Sequence, residues 1–134
     1  MNTTLNVGSM IPNSKISQTI LEFGSALINQ LPQSHSKEDF ENVIKLVILA
    51  WNTVVFDSWE EKTDLESQLL KSLEEAPKQA QLEMKRLIKR KKTKFGNDPR
   101  AVGNYWVREE GGEFIFGCES RGNVENFKAE KTQH

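Results

Sequence analysis

The chain is poor in the residues on which most catalytic centres and covalent staples depend. Its 134 residues include one cysteine, Cys118, and two histidines, His35 and His134. A lone cysteine excludes an intramolecular disulfide and any zinc site that needs two thiolates. His35 sits in a Ser-flanked turn and His134 is the last residue, so neither forms a ligand spacing or stands as a base beside Cys118. No P-loop, dinucleotide fingerprint or nucleophile elbow is present. The longest apolar run, Leu46 to Trp51, is far shorter than the roughly 20 residues that span a bilayer. The opening MNTTLNVGSM has no basic stretch followed by an apolar one. Asn2 stands where myristoylation needs glycine, and the ending EKTQH offers no prenylation cysteine. These absences predict a cytoplasmic chain with no cofactor, no metal, no catalytic residue and no membrane partner.

What remains is an ordinary globular composition. Hydrophobic residues make up 37% and charged residues 28%, enough for one core and too apolar for a disordered or collagen-like chain. The length predicts a single domain over 1–134, with an N-terminal arm at 1–13 and a frayed tail at 129–134. Between them, 14–95 reads as helical and 101–120 as a β-hairpin. The expected fold class is therefore α+β: an N-terminal bundle of three to four helices, then a short antiparallel β-hairpin or small sheet.

The helical part rests on apolar spacing. After Asn13 or Ser14 as N-cap, Ile16, Ile20, Phe23, Leu27 and Leu31 step by three or four, predicting one helix of about four turns ended by Pro32. Ser36 and Asp39 form a capping box with Asp in place of Glu or Gln. Phe40, Val43, Ile44, Val47, Ile48, Trp51, Val54 and Val55 then form a stripe. Leu46, Leu49 and Ala50 widen it until mid-helix is apolar nearly all round, which predicts a central helix touched from several sides. Leu65, Leu69, Leu73 and Ala76 continue the helical spacing until Pro77, where the helix kinks or a new one begins. Ala80, Met84, Leu87, Ile88 and Phe95 extend the stripe, and Gly96–Asn97–Asp98–Pro99 ends it.

Beyond Pro99 the runs Tyr105–Arg108 and Phe114–Phe116 are β-prone, and Gly111-Gly112 reads as a two-residue hairpin turn. That turn sets Val107 against Phe116, Tyr105 against Cys118 and Trp106 against Gly117. The first two pairs form the core face, and Trp106 covers a strand glycine. Residues 3–11 and 123–128 are candidates for a third strand. Asn52, beside Trp51 on the most apolar helix, needs a hydrogen-bonding partner if buried. Trp51 and Trp59 read as core anchors, with Trp59 also considered as an exposed contact.

The net charge of -1 conceals an uneven layout. Residues 37–82 balance at -5, residues 83–100 at +6 and residues 101–134 at -2. The simpler account of the basic run is a solvated helix end that complements the helix dipole and pairs with Glu60, Glu61, Glu74 or Glu75. The alternative is an anion patch for RNA or DNA built on Lys85, Arg86, Lys89, Arg90 and Lys92. In that account Arg108 and the exposed aromatic Trp106 are supplied by the adjacent hairpin. Asp98 with Glu119-Ser120-Arg121 loosely resembles a metal-dependent nuclease arrangement, but Arg is a poor proton shuttle and too few residues follow to complete such a site. Glu109, Glu110 and Glu113 cluster at the turn and lack the burial that acid–base catalysis needs. The expected function is a small intracellular non-enzymatic binding or adaptor module. It would act through a protein partner, or a second copy as homodimer, with a nucleic-acid-associated accessory role around residues 85–94 as the alternative.

Overall fold

A computed structural model describes residues 15–59 and 64–122, with side chains as far as Ser120. Helices α1 (Ile16–Phe23), α2 (Ser25–Ile28), α3 (Lys37–Trp59), α4 (Leu65–Ser72) and α5 (Lys78–Lys94) precede strands β1 (Ala101–Glu110) and β2 (Glu113–Gly122). The class is α+β, with the strands paired as one antiparallel sheet.

The single helix expected before Pro32 is two. Gly24 separates α1 from the one-turn α2, and α3 passes it too closely for a side chain. A Cβ on Gly24 would lie 2.6 and 2.7 Å from the two methyls of the fully buried Val47. The glycine thus lets two helices approach at the core. Lys15 holds the N-cap position of α1 and makes no side-chain cap bond. Asn13 and Ser14, the expected caps, lie outside the described residues, as do both candidate third strands.

Helix α3 is the central element, as its sequence requires. Phe40, Ile44, Val47, Ile48, Ala50, Trp51 and Val55 are all buried along it. Each large side chain among them stabilises the fold by about 1.5–3 kcal/mol relative to exposure. Its start carries the expected capping box: the Asp39 N–H donates to Ser36 Oγ at 3.0 Å and the Ser36 N–H to Asp39 Oδ2 at 3.3 Å. The apolar girdle is not covered all round, however. Leu46 and Leu49 are 42% and 44% exposed, because no described element packs on that side.

Near the other end of α3, the Asp57 carboxylate accepts the N–H groups of Leu65 (2.9 Å) and Glu66 (3.0 Å), capping α4. Pro77 does not kink a continuous helix. It is the N-cap of a new one, where its missing donor costs nothing. Helix α5 closes the bundle against α3, with Met84, Leu87 and Ile88 in the common core.

The hairpin has the register that its turn dictates. Gly111 and Gly112 adopt φ of 59° and 84°, the left-handed region a tight hairpin turn demands. Val107 faces Phe116, Tyr105 faces Cys118 and Trp106 faces Gly117. Register shifts on either side of Val102 mark bulges. They turn Val102 inward, where strict alternation would put it on the outer face with Asn104 and Trp106. The inner face packs on the helices through the buried Val102, Val107 and Phe116. At the tip, Phe114 stacks on Phe40 at 5.8 Å between ring centres.

Asn52 joins sheet to helix. Its Nδ2 donates to the Val102 carbonyl at 3.0 Å, and its Oδ1 accepts the Val102 N–H at 2.8 Å. One side chain thereby fills both polar groups that a neighbouring strand would use.

Two outcomes follow for stability. Gly24→Ala overpacks the α1–α3 contact and should cost about 1–3 kcal/mol in urea denaturation, and Val47→Ala in the same chain should make the double change cheaper than the sum of the single ones. Asn52→Leu leaves a donor and an acceptor of Val102 unpaired, each worth about 1–3 kcal/mol if it stays dry; the Val102 amide should lose its protection from hydrogen exchange.

Candidate functional site

Helix α5 carries two rows of side chains with different fates. Met84, Leu87, Ile88 and Lys91 recur at three- and four-residue spacing and are all buried. The last place in an apolar row thus belongs to a lysine. One step round the helix, Lys85, Lys89 and Lys92 line an open cleft of about 220 Å³ between α5 and α4. Ile88 and Leu70 form its apolar floor, and Glu66 of α4 is the one carboxylate on its wall. Lys92 Nζ lies 2.6 Å from Glu66 Oε1, an exposed pair worth about 0–1 kcal/mol. Lys85 and Lys89 have no ion-pair partner among the described residues. Glu66 thus takes the pairing role expected of Glu74 or Glu75, while Glu60 and Glu61 lie outside the described residues.

The other candidates of the basic patch separate. Arg86 is exposed on α5. Arg90 turns inward: its Nε donates to the Phe23 carbonyl at 3.0 Å and its Nη2 to the Glu22 carbonyl at 3.2 Å. Those carbonyls belong to the broken end of α1, where the last turn has no helical donors left. The guanidinium also lies 5.3 Å from the centre of the Phe95 ring. Arg90 is therefore a cap for a neighbouring helix and not part of an open surface. Trp106 and Arg108 occupy the outer face of the hairpin, opposite the core pair Val107 and Phe116. The Trp106 indole covers Gly117, where an added Cβ would come within 2.6 Å of it. Arg108 lies 3.6 Å from Glu110, with both side chains largely exposed. Neither residue joins the α5 cleft. Trp59 packs edge-to-face on Phe56 at 5.1 Å, as a core anchor does.

Lys91 is the group that reasoning from charge overlooked. It is only 2% exposed. Its Nζ donates to the carbonyls of Phe95 (2.6 Å) and Asp98 (3.0 Å) and sits 4.3 Å from the centre of the Trp51 ring system. The spacing Met84–Leu87–Ile88–Lys91–Phe95 placed it on the buried face. A lysine counted with its charged neighbours hid that signal. Trp51 in turn donates its indole N–H to the Arg100 carbonyl at 2.6 Å.

Arg100 grips Asp98 through Nε (2.9 Å) and Nη2 (2.7 Å) and reaches Thr19 Oγ1 at 3.3 Å. Burial pushes the Asp98 carboxyl up, yet the hydrogen bonds and charge of Arg100, with the charge of Lys91, hold it below its ordinary value. Asp98 is thus committed to a structural ion pair. Among the described residues no group of three His, Cys, Asp or Glu side chains could hold a metal ion. Burial also pushes the Cys118 thiol up to about 11, against the charge of Arg100, which disfavours the nucleophilic thiolate. No described helix is long and apolar enough to cross a membrane.

No family model, curated protein or solved structure matches this chain. Its surfaces must therefore be interpreted on their own chemistry. Among the described residues they include a cationic cleft on α5 and an aromatic face on the hairpin.

The buried lysine gives the fold a pH dependence of defined sign. Burial lowers Lys91 to about 8, with Asp98 acting against it, from an ordinary 10.5. Between these values the unfolded chain keeps the proton that the folded chain has lost, so stability rises with pH. Cys118 acts oppositely between its ordinary 9.0 and about 11. Denaturation midpoints should therefore climb from about pH 8 to pH 9 and level off above. Lys91→Met should remove the climb.

Proposed function

We propose that the protein is a cytoplasmic, non-enzymatic binding module that works through contact with a protein partner, a second copy of itself included. Trp106 supports this assignment. It is 40% exposed at the middle of a sheet face whose neighbours Asn104, Arg108, Glu113 and Glu119 are also exposed. Tryptophan and arginine side by side on an open face are the residue types that dominate binding energy at protein interfaces. The Trp106 indole also covers Gly117, a contact made before any partner arrives that lowers the ordering cost of association. A twofold contact through this face would present the same patch from both copies.

Sedimentation velocity over a wide concentration range tests the assignment. The expected result is either a mass above the 15.3 kDa of one chain or capture of a discrete cellular protein by the immobilised chain. Arg108→Glu should weaken that contact while leaving the circular-dichroism spectrum unchanged. A chain of 15.3 kDa at every concentration that retains no protein would overturn it.

A further inference from the structure

We propose that the α4–α5 cleft is a separate binding site for the phosphodiester backbone of single-stranded nucleic acid, with Glu66 as its internal competitor. The cleft chemistry supports this in three steps. Lys85, Lys89 and Lys92 line it against a single carboxylate, so the pocket carries an excess of positive charge. With a helical rise of 1.5 Å per residue, these lysines are spaced about 6 Å and 4.5 Å along the axis. A chain of phosphates can meet such a ladder in series, whereas a single phosphate meets one or two of its rungs. On the floor the half-buried Leu70 offers apolar contact to an unstacked base, beside the edge of the buried Ile88. Its volume of about 220 Å³ is far too small for a duplex.

Lys92 already shows the recognition. It holds the Glu66 carboxylate at 2.6 Å, in the place where a phosphate oxygen would bind. A phosphate chain must displace that carboxylate, so Glu66 sets a threshold for binding. The Glu66 backbone N–H is held by Asp57 at 3.0 Å independently of its carboxylate. Glu66→Gln therefore removes the competitor without uncapping α4.

Fluorescence polarisation of a labelled oligothymidylate with the full chain, over a salt series, tests the site. Three lysine–phosphate contacts on a single strand predict a slope of log affinity against log salt of about -2. Lys85→Gln with Lys89→Gln should reduce it to about -0.7. Glu66→Gln should tighten binding, and Lys37→Gln at the exposed start of α3 should leave it unchanged. Melting temperatures of each variant establish that it is folded. Absence of binding at low salt, weaker binding by Glu66→Gln, or equal affinity of the folded Lys85→Gln/Lys89→Gln chain would overturn the proposal. Competition by inorganic phosphate at the same phosphate concentration as the oligonucleotide would instead assign the cleft to free phosphate and overturn the nucleic-acid assignment.

Discussion

The clasp between Trp51 and Lys91 sets how the helices meet the sheet. Trp51 lies at the centre of α3, with Phe23 and Phe95 edge-on to its ring at 5.2 and 5.7 Å and the Lys91 ammonium over its face. A cation over an indole in a water-poor setting is worth roughly 2 kcal/mol, and the same ammonium satisfies two backbone carbonyls; both offset part of the cost of burying the charge, which still holds Lys91 below its ordinary pKa. The carbonyls of Phe95, Asp98, Arg100 and Val102 are each taken by Lys91, Trp51 or Asn52. The connection that carries the chain from bundle to sheet is thus fastened from both α3 and α5. Everything on the hairpin inherits its position from that fastening.

The clasp also divides the basic run between structure and surface. Lys91 and Arg90 serve neighbouring backbone carbonyls, one at the exit of α5 and one at the end of α1. The row facing α4, with the exposed Arg86 and Lys94, is left to meet solvent anions. Eight bases in the segment 83–100 therefore overstate the available positive surface. The hairpin uses its aromatic residues in a similar division: Tyr105 and Phe116 turn inward, and Trp106 outward.

Much of this architecture can be read from local chemistry. Gly111-Gly112 determines the turn, and the turn determines the facing pairs. The density of apolar residues around Trp51 makes α3 central, and Ser36 with Asp39 fixes its start. The features that escape such reasoning depend on neighbours distant in sequence. Position 24 must be glycine because Val47 arrives beside it. Lys91 is buried and Arg90 half-buried because carbonyls from residues 95–98 and 22–23 await them. Gly103, skipped in the register between Val102 and Asn104, lies in a bulged stretch that no alternation pattern announces. The row Lys85, Lys89 and Lys92 follows from helical spacing alone, whereas its facing Glu66 depends on how α4 folds back.

Among the described residues the sheet has two strands, and uncovered strand edges are templates on which unrelated chains can add strands and aggregate. The Asn52 carboxamide occupies both hydrogen-bonding groups of Val102, and the bulges beside it interrupt the flat ladder that an incoming strand would need. Glu109 and Glu110 place charge at the other end of β1. The amide that docks the sheet on α3 therefore also guards against amyloid-like growth: a helix side chain blunts the strand edge that the fold would otherwise offer to its own copies.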